Sequence, residues 1–270
     1  MPYDQYGLLR HKADPSLKFI FTTQQHYDLL GEIIVKHVQD RLVAEYGLQK
    51  VLFGKKKGQQ CPIFMTKDFS TIKDASTCLI LIQGKGDGVR AGLWARSVCI
   101  NDTFERGTML PFIERALLAN IPILIMNPNQ HIDPETGMPV PESDTNPNHC
   151  LNVWEQYVKP SKYKKIQIVA HSFGGLCLAK IQAKYAPDFY KRVDKIALTD
   201  CKKTIQQTEM TRPQQDWMQK HAIHWVKSDK PLNTPIVGKS ICPVRSAGHE
   251  LHEYTTGCAQ YEIFKYLGYQ

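Results

Sequence analysis

From position 77 onward the chain alternates short, largely apolar runs with longer amphipathic ones. The apolar runs fall at 78–82, 121–126, 166–169 and 196–198. A strand without polar alternation is covered on both faces, so these four predict the centre of a parallel sheet. Between them, helical spacing recurs at 111–118, 151–158 and 175–185, and this alternation of strand and helix predicts an α/β, doubly wound sheet. A further helix is expected at 214–221, a last strand at 240–244 and a closing helix at 259–267.

The first quarter of the chain has a different texture. A short strand is expected at 17–22, followed by a helix over 24–46 that carries Leu30, Ile33, Ile34, Val38 and Leu42 on one face. Segments 51–53 and 63–65 read as antiparallel strands at the sheet edge, joined by GKKKGQQ, whose glycines and lysines suit an exposed hairpin loop. The stretch 127–148 holds five prolines among Asn, Asp and Glu and predicts a loop above the sheet.

One run ends abruptly. In IQIVAHSFGG, residues 166–175, a β-branched strand stops at a serine and small residues follow at once. That is the form of the G-x-S-x-G nucleophile elbow, in which a tight strand-to-helix turn lifts a serine hydroxyl over the edge of a parallel sheet. Here it reads Ala170-His171-Ser172-Phe173-Gly174, with alanine in place of the first glycine. The expected architecture is therefore one α/β-hydrolase-like domain over 1–270: N-terminal strands and a covering helix to 76, antiparallel at its edge, then a mostly parallel core with helices on both faces.

A serine hydroxyl becomes a nucleophile only when a histidine takes its proton and a carboxylate fixes that histidine's tautomer. In this fold the partners follow in the order Ser, Asp or Glu, His. Asp200 ends the strand KIALTD and is the best acid, while SAGHELHEYTTG, before the closing helix, offers His249 and His252 as the base. The oxyanion hole needs the N–H after the nucleophile, at Phe173, and amides from the loop after an earlier strand, here Gln83-Gly84-Lys85-Gly86-Asp87-Gly88. Arg90, and with it Gln83, is the candidate ligand contact, although Arg90 and the nearby Arg96 both have the ordinary alternative of pairing with a carboxylate. Cys177, one turn past the elbow, reads as a small core residue.

The composition changes this picture little. The chain has 270 residues, 42% of them hydrophobic, which suffices for one large core. No run of eighteen apolar residues and no leader-like N-terminus occurs, so neither membrane spanning nor secretion is expected, and an intracellular place, cytoplasmic or nuclear, is. Eight scattered cysteines without a C-x-x-C pair predict free buried thiols in a reducing compartment. The net charge of +8 leans on lysine clusters at 55–57, 162–165 and 202–203. No nucleic-acid motif accompanies them, and solvated surface is the simpler reading. The glycine loop lacks the spacing of a dinucleotide or phosphate fingerprint, and H-x-x-H at 249–252 is not the H-E-x-x-H of zinc hydrolases, so no cofactor and no metal are expected.

The segments FIF…YDLLGEIIVKHV, GVRAGLWAR, LPFIERA, MNPN, VWEQYV, VAHSFGG, ALTD and SAGHELHEYTT, in this order, resemble the Argonaute-binding-protein-two domain over roughly residues 6–267. The resemblance implies the same fold and matches Ser172 and Asp200 to the family's serine and aspartate. Its pattern of SAG, a three-residue spacer, then H-E, selects His252 and leaves His249 in the spacer. The family's glycine loop begins H-G-x-G, whereas this chain has Gln83-Gly84-Lys85-Gly86. Family members are known mainly for roles in complexes of RNA silencing, splicing and chromatin. Two expectations follow: esterase-like acyl hydrolysis of a small substrate by Ser172, His252 and Asp200, or a non-catalytic subunit of a larger protein or ribonucleoprotein assembly.

Overall fold

The order in which the strands lie explains why the central ones are apolar throughout. The structure, a computed structural model, describes residues 3–72, 76–201, 210–238 and 240–269. Strands β1 (Gln49–Phe53), β2 (Cys61–Met65), β3 (Thr77–Ile82), β4 (Ile123–Ile125), β5 (Lys165–His171), β6 (Val193–Thr199), β7 (Ala222–Val226) and β8 (Val244–Ser246) form one sheet in the order β1-β2-β4-β3-β5-β6-β7-β8. The β1–β2 and β2–β4 pairings are antiparallel and the other five parallel, so the sheet is mostly parallel with an antiparallel N-terminal edge.

The helices are α1 (Gln24–Ala44), α2 (Arg96–Asn101), α3 (Phe104–Gly107), α4 (Leu110–Leu118), α5 (Asn146–Val153), α6 (Gly174–Lys184), α7 (Ala186–Arg192), α8 (Arg212–His221) and α9 (Thr255–Leu267). They cover both faces of the sheet. Alternate strand residues point to opposite sides: Leu79, Leu81, Val169 and Ala197 pack with Ile34 and Val38 of α1, Phe112 of α4 and Phe264 of α9, whereas Ile80, Ile168 and Leu198 pack with Trp154, Ile181 of α6 and Phe189 of α7. This is the α/β-hydrolase-like, doubly wound arrangement.

Differences from the sequence expectations have local causes. Segment 17–22 is not a strand: Lys18 makes a single bridge to Arg10, and Ile20 and Phe21 are 68% and 58% exposed, because no sheet edge lies beside them. On α1 the buried stripe is Gly31, Ile34, Val38 and Leu42, with Ile33 turned outward. The strand β7 has no counterpart in the apolar runs, since His224 interrupts AIHWV; that histidine is buried and its Nε2 accepts the Cys201 N–H at 2.8 Å. The last strand lies at Val244–Ser246, displaced from 240–244. Helix α5 starts earlier than expected, at Asn146, and its continuation over Trp154–Val158 is a π-helical turn.

None of the eight cysteines, all among the described residues, is in a disulfide, and all but Cys258 are buried. Lys55, Lys56, Lys57, Lys162, Lys164 and Lys165 are exposed, while the cluster at Lys202 and Lys203 lies outside the described residues. Among the described residues, no helix is long and apolar enough to cross a membrane.

Candidate active site

In a parallel sheet the carboxyl ends of the strands share one edge, and the loops leaving them form the site. Four such ends meet here. β3 runs into the glycine loop at Gln83, β5 ends beside Ser172, β6 ends beside Asp200, and β8 leads through Ala247–Gly248 to a short 3₁₀ turn, His252–Tyr254, at the start of α9.

Ser172 has a left-handed backbone, φ 51°, which an L-residue with an ordinary side chain adopts only when its surroundings impose it. The surroundings here are tight. A Cβ at Gly84 would stand 2.8 Å from Ser172 Cβ and 3.3 Å from the His171 carbonyl, and one at Gly174 would stand 2.7 Å from the Ile82 carbonyl. Glycine at both positions is what lets the glycine loop close on the elbow. The Ser172 N–H donates to the Thr199 carbonyl at 2.9 Å, which ties the turn to the end of β6.

At that end stands Asp200, also left-handed at φ 47°. The Nδ1–H of His252 donates to its Oδ2 at 2.6 Å, and the Lys227 N–H lies 3.5 Å from Oδ1. Burial alone would raise the Asp200 carboxyl, but the hydrogen bond and charge of His252 outweigh it and hold it below the ordinary carboxylate range. The carboxylate is thus ionised at neutral pH, and because it takes the Nδ1 proton, Nε2 is the ring nitrogen of His252 left to exchange a second proton. The other histidine of this loop is used differently: the His249 ring stacks on Tyr254 at 4.2 Å and its Nδ1 accepts the Leu251 N–H.

Ser172 and His252 open on one cavity of about 260 Å³, with Gly84 and Lys85 on the loop side. Phe173, Gln83, Gly86 and Arg90 are not among its lining residues. The N–H of Phe173 belongs to the start of α6, where a helix leaves its amides without intrahelical partners, and Lys85 Nζ sits 5.9 Å from the Phe173 ring. Gln83 is buried, its amide 3.2 Å from the Asn127 side chain, and Arg90 donates to Gln130 at 2.8 Å and to the Val89 carbonyl.

Other residues complete the cavity wall, among them Tyr27, Asp87, Val89, Trp94, Arg96 and Glu253. The Arg96 guanidinium lies 4.5 Å from the Tyr27 ring and pairs with Asp28 at 2.9 Å, so α1 is fastened to the rim. Arg96 takes the carboxylate pairing expected of it, with Asp28, whereas Trp94 was not singled out, although the density of arginine, glycine and tryptophan in GVRAGLWAR was a signal that could have marked it. Tyr27 opens the segment YDLLGEIIVKHV, but it reaches the cavity only through the packing of α1.

Comparison with known proteins bears on family and fold. The model of the Arb2 domain family matches residues 4–139 and 131–232. The chain is 30% identical to the cotranscriptional regulator ARB2A homolog of Dictyostelium discoideum over 300 residues, covering 98% of this chain and 77% of that protein. It is 27% identical to the cotranscriptional regulator ARB2A of Homo sapiens over 329 residues, covering 98% and 78% respectively. Among solved structures, a histone deacetylase from Saccharomyces cerevisiae superposes with a TM-score of 0.60 at 11% identity over 92% of this chain and 98% of that one, a likeness of fold alone. The chain belongs to the Arb2 domain family.

Proposed function

We propose that the chain is a serine hydrolase of the Arb2 family that cleaves small acyl esters, with Ser172 as nucleophile, His252 as general base and acid, and Asp200 as its orienting carboxylate. The observation that carries this reading is the 2.6 Å contact of Asp200 with His252 Nδ1 beside a left-handed Ser172 on the same cavity. His252 Nε2 takes the Ser172 proton as Oγ attacks the acyl carbonyl. Negative charge on the carbonyl oxygen is met by the Phe173 N–H and by amides of the Gly84–Lys85–Gly86 loop. The intermediate expels the alcohol, which receives the proton from His252, and leaves an acyl group on Ser172. Water then attacks that acyl group with His252 again as base, which releases the acid and restores the serine.

Covalent catalysis of this kind gives a burst, one product per site, when deacylation is slower than acylation. With p-nitrophenyl acetate the wild-type chain is expected to release p-nitrophenol above background, and Ser172→Ala is expected not to. Equal, background-level release by both proteins across a series of short acyl esters contradicts the reading.

A second reading has support of its own in the names of the curated relatives, which are cotranscriptional regulators. On it the chain acts as a non-catalytic subunit of a nuclear protein or ribonucleoprotein assembly. Full complementation of a null cell line by Ser172→Ala favours the second reading, and loss of complementation favours the first.

A further inference from the structure

His171 stands next to the serine yet has no part in the proton transfers described above. It is 4% exposed, and both of its hydrogen bonds are made by Nδ1, at 3.1 Å to the Thr199 carbonyl and 3.1 Å to Thr199 Oγ1. A carbonyl oxygen can only accept, so Nδ1 is the protonated nitrogen. Thr199 Oγ1 in turn lies 2.6 Å from Thr256 Oγ1, in the first turn of α9. Thr255, beside it, donates from its hydroxyl to the His252 carbonyl at 2.8 Å.

The chain His171–Thr199–Thr256 therefore joins the end of β5, the end of β6 and the start of α9, which are the three elements that carry Ser172, Asp200 and His252. The His171 ring also lies against the His252 ring, with centroids 4.8 Å apart and planes at 35°. That separation is within the range of favourable ring contact. We infer that His171 is a positioning residue: its buried ring supports the face of His252, and its Nδ1–H locks the strand end that presents Asp200.

This support has to stay uncharged, because a second imidazolium beside His252 would oppose the charge that His252 acquires on taking a proton. Burial, aided by positive charge on His252 when it is protonated, pushes His171 down to about 3, so it stays neutral around neutral pH. Among the groups touching His171, the threonines of the chain above do not titrate in that range, and Asp200 is already a carboxylate.

The inference rests on the hydrolase reading for its kinetic consequence but not for its structural one, so the test has two arms. In the intact chain, without substrate, the Asp200-bound Nδ1–H of His252 is read as a low-field proton resonance, assigned by its loss in Asp200→Ala. The same proteins are then titrated with a fluorophosphonate probe and their labelling rates compared. In His171→Ala the resonance is expected to broaden into exchange with water and labelling to slow by about 10- to 100-fold, the scale of a small misplacement of catalytic groups. His171→Phe, which restores a ring face and volume, is expected to recover most of both losses; His171→Asn, which keeps an N–H donor but no ring, is expected to recover less. Melting temperatures of all three identify any loss that comes from unfolding. An unchanged resonance in folded His171→Ala overturns the inference, whatever happens to labelling. Wild-type protein that shows the resonance, loses it in His171→Ala and yet never labels upholds the positioning role while sinking the hydrolase reading.

Discussion

β5 and β6 lie side by side, and each ends at a left-handed residue, Ser172 at φ 51° and Asp200 at φ 47°. The two ends reach the same conformation for different reasons. Aspartate is one of the residues that enters this region with little penalty, and the other left-handed non-glycine residues described, Asp68, Asn120 and Asn233, are of the same kind. Serine is not, and strain of this type costs about 1–3 kcal/mol where the surroundings hold it. At Ser172 the surroundings are the Thr199 carbonyl and the close approach of Gly84 and Gly174. The β6 end follows from its own residue, whereas the β5 end is imposed by its neighbours, and that contrast is what singles out the serine.

The contrast breaks most severely at the nucleophile. If Ser172 is the nucleophile, Ser172→Ala is expected to lower ester hydrolysis on the order of 10⁶-fold, as removal of the nucleophilic serine does in serine hydrolases, measured as kcat on the best p-nitrophenyl ester. Asp200→Asn keeps the shape of the β6 end but presents an amide to Nδ1 and favours the wrong tautomer of His252. Its expected loss is about 10⁴-fold, with little change in KM. Comparable activity in wild type and Asp200→Asn would show that the β6 end is not part of the machinery.

Next comes the packing that imposes the β5 end. Gly84→Ala puts a methyl group within 2.8 Å of Ser172 Cβ, so either the elbow or the glycine loop must move. A loss of about 10²-fold in kcat is expected, and wild-type activity in this variant would refute the close approach.

Protonation provides a further test of burial. His171 and His149 are both pushed down to about 3 by burial. Unfolded, each binds its proton near the ordinary value of 6.5. Between those values the unfolded chain carries more protons than the folded one, so stability is fully present above about 6.5 and falls as pH drops through the window. The slope reaches at most about 1.4 kcal/mol per pH unit for each histidine. Urea unfolding at pH 7, 6 and 5 measures it, and a stability unchanged over that range contradicts the burial of both rings. The smallest effect expected is a gain: Ser172→Gly relieves the left-handed strain and should stabilise the fold by about 1 kcal/mol while removing activity.

The same contrast explains what was legible in the sequence. The strands β3, β5 and β6 are buried on both faces, so their central runs are apolar or small apart from Gln167, whose buried amide is satisfied by the Leu267 carbonyl and the Tyr269 hydroxyl, and they read directly. The elbow also reads directly, because a forced turn needs small neighbours and those are letters in the chain. β7 was hidden because its buried His224 is satisfied by the Cys201 amide, a contact made across the sheet edge. Segment 17–22 misled for the converse reason, being apolar without a strand to pair with. At the site, spacing alone left His249 and His252 equal, and the family pattern separated them; the structure puts His252 on Asp200 and His249 on Tyr254. Tyr27, Asp28 and Arg96 all lie in recognisable segments, but their meeting at the rim depends on how α1 docks, which those segments do not encode.

The most direct measurement of the central claim is intact-mass analysis after reaction with a fluorophosphonate, followed by peptide mapping. A working nucleophile at the β5 end predicts a single adduct, located on Ser172, absent from Ser172→Ala and strongly slowed in His252→Ala. No adduct on folded wild-type protein, with a control serine hydrolase labelled in the same tube, contradicts it.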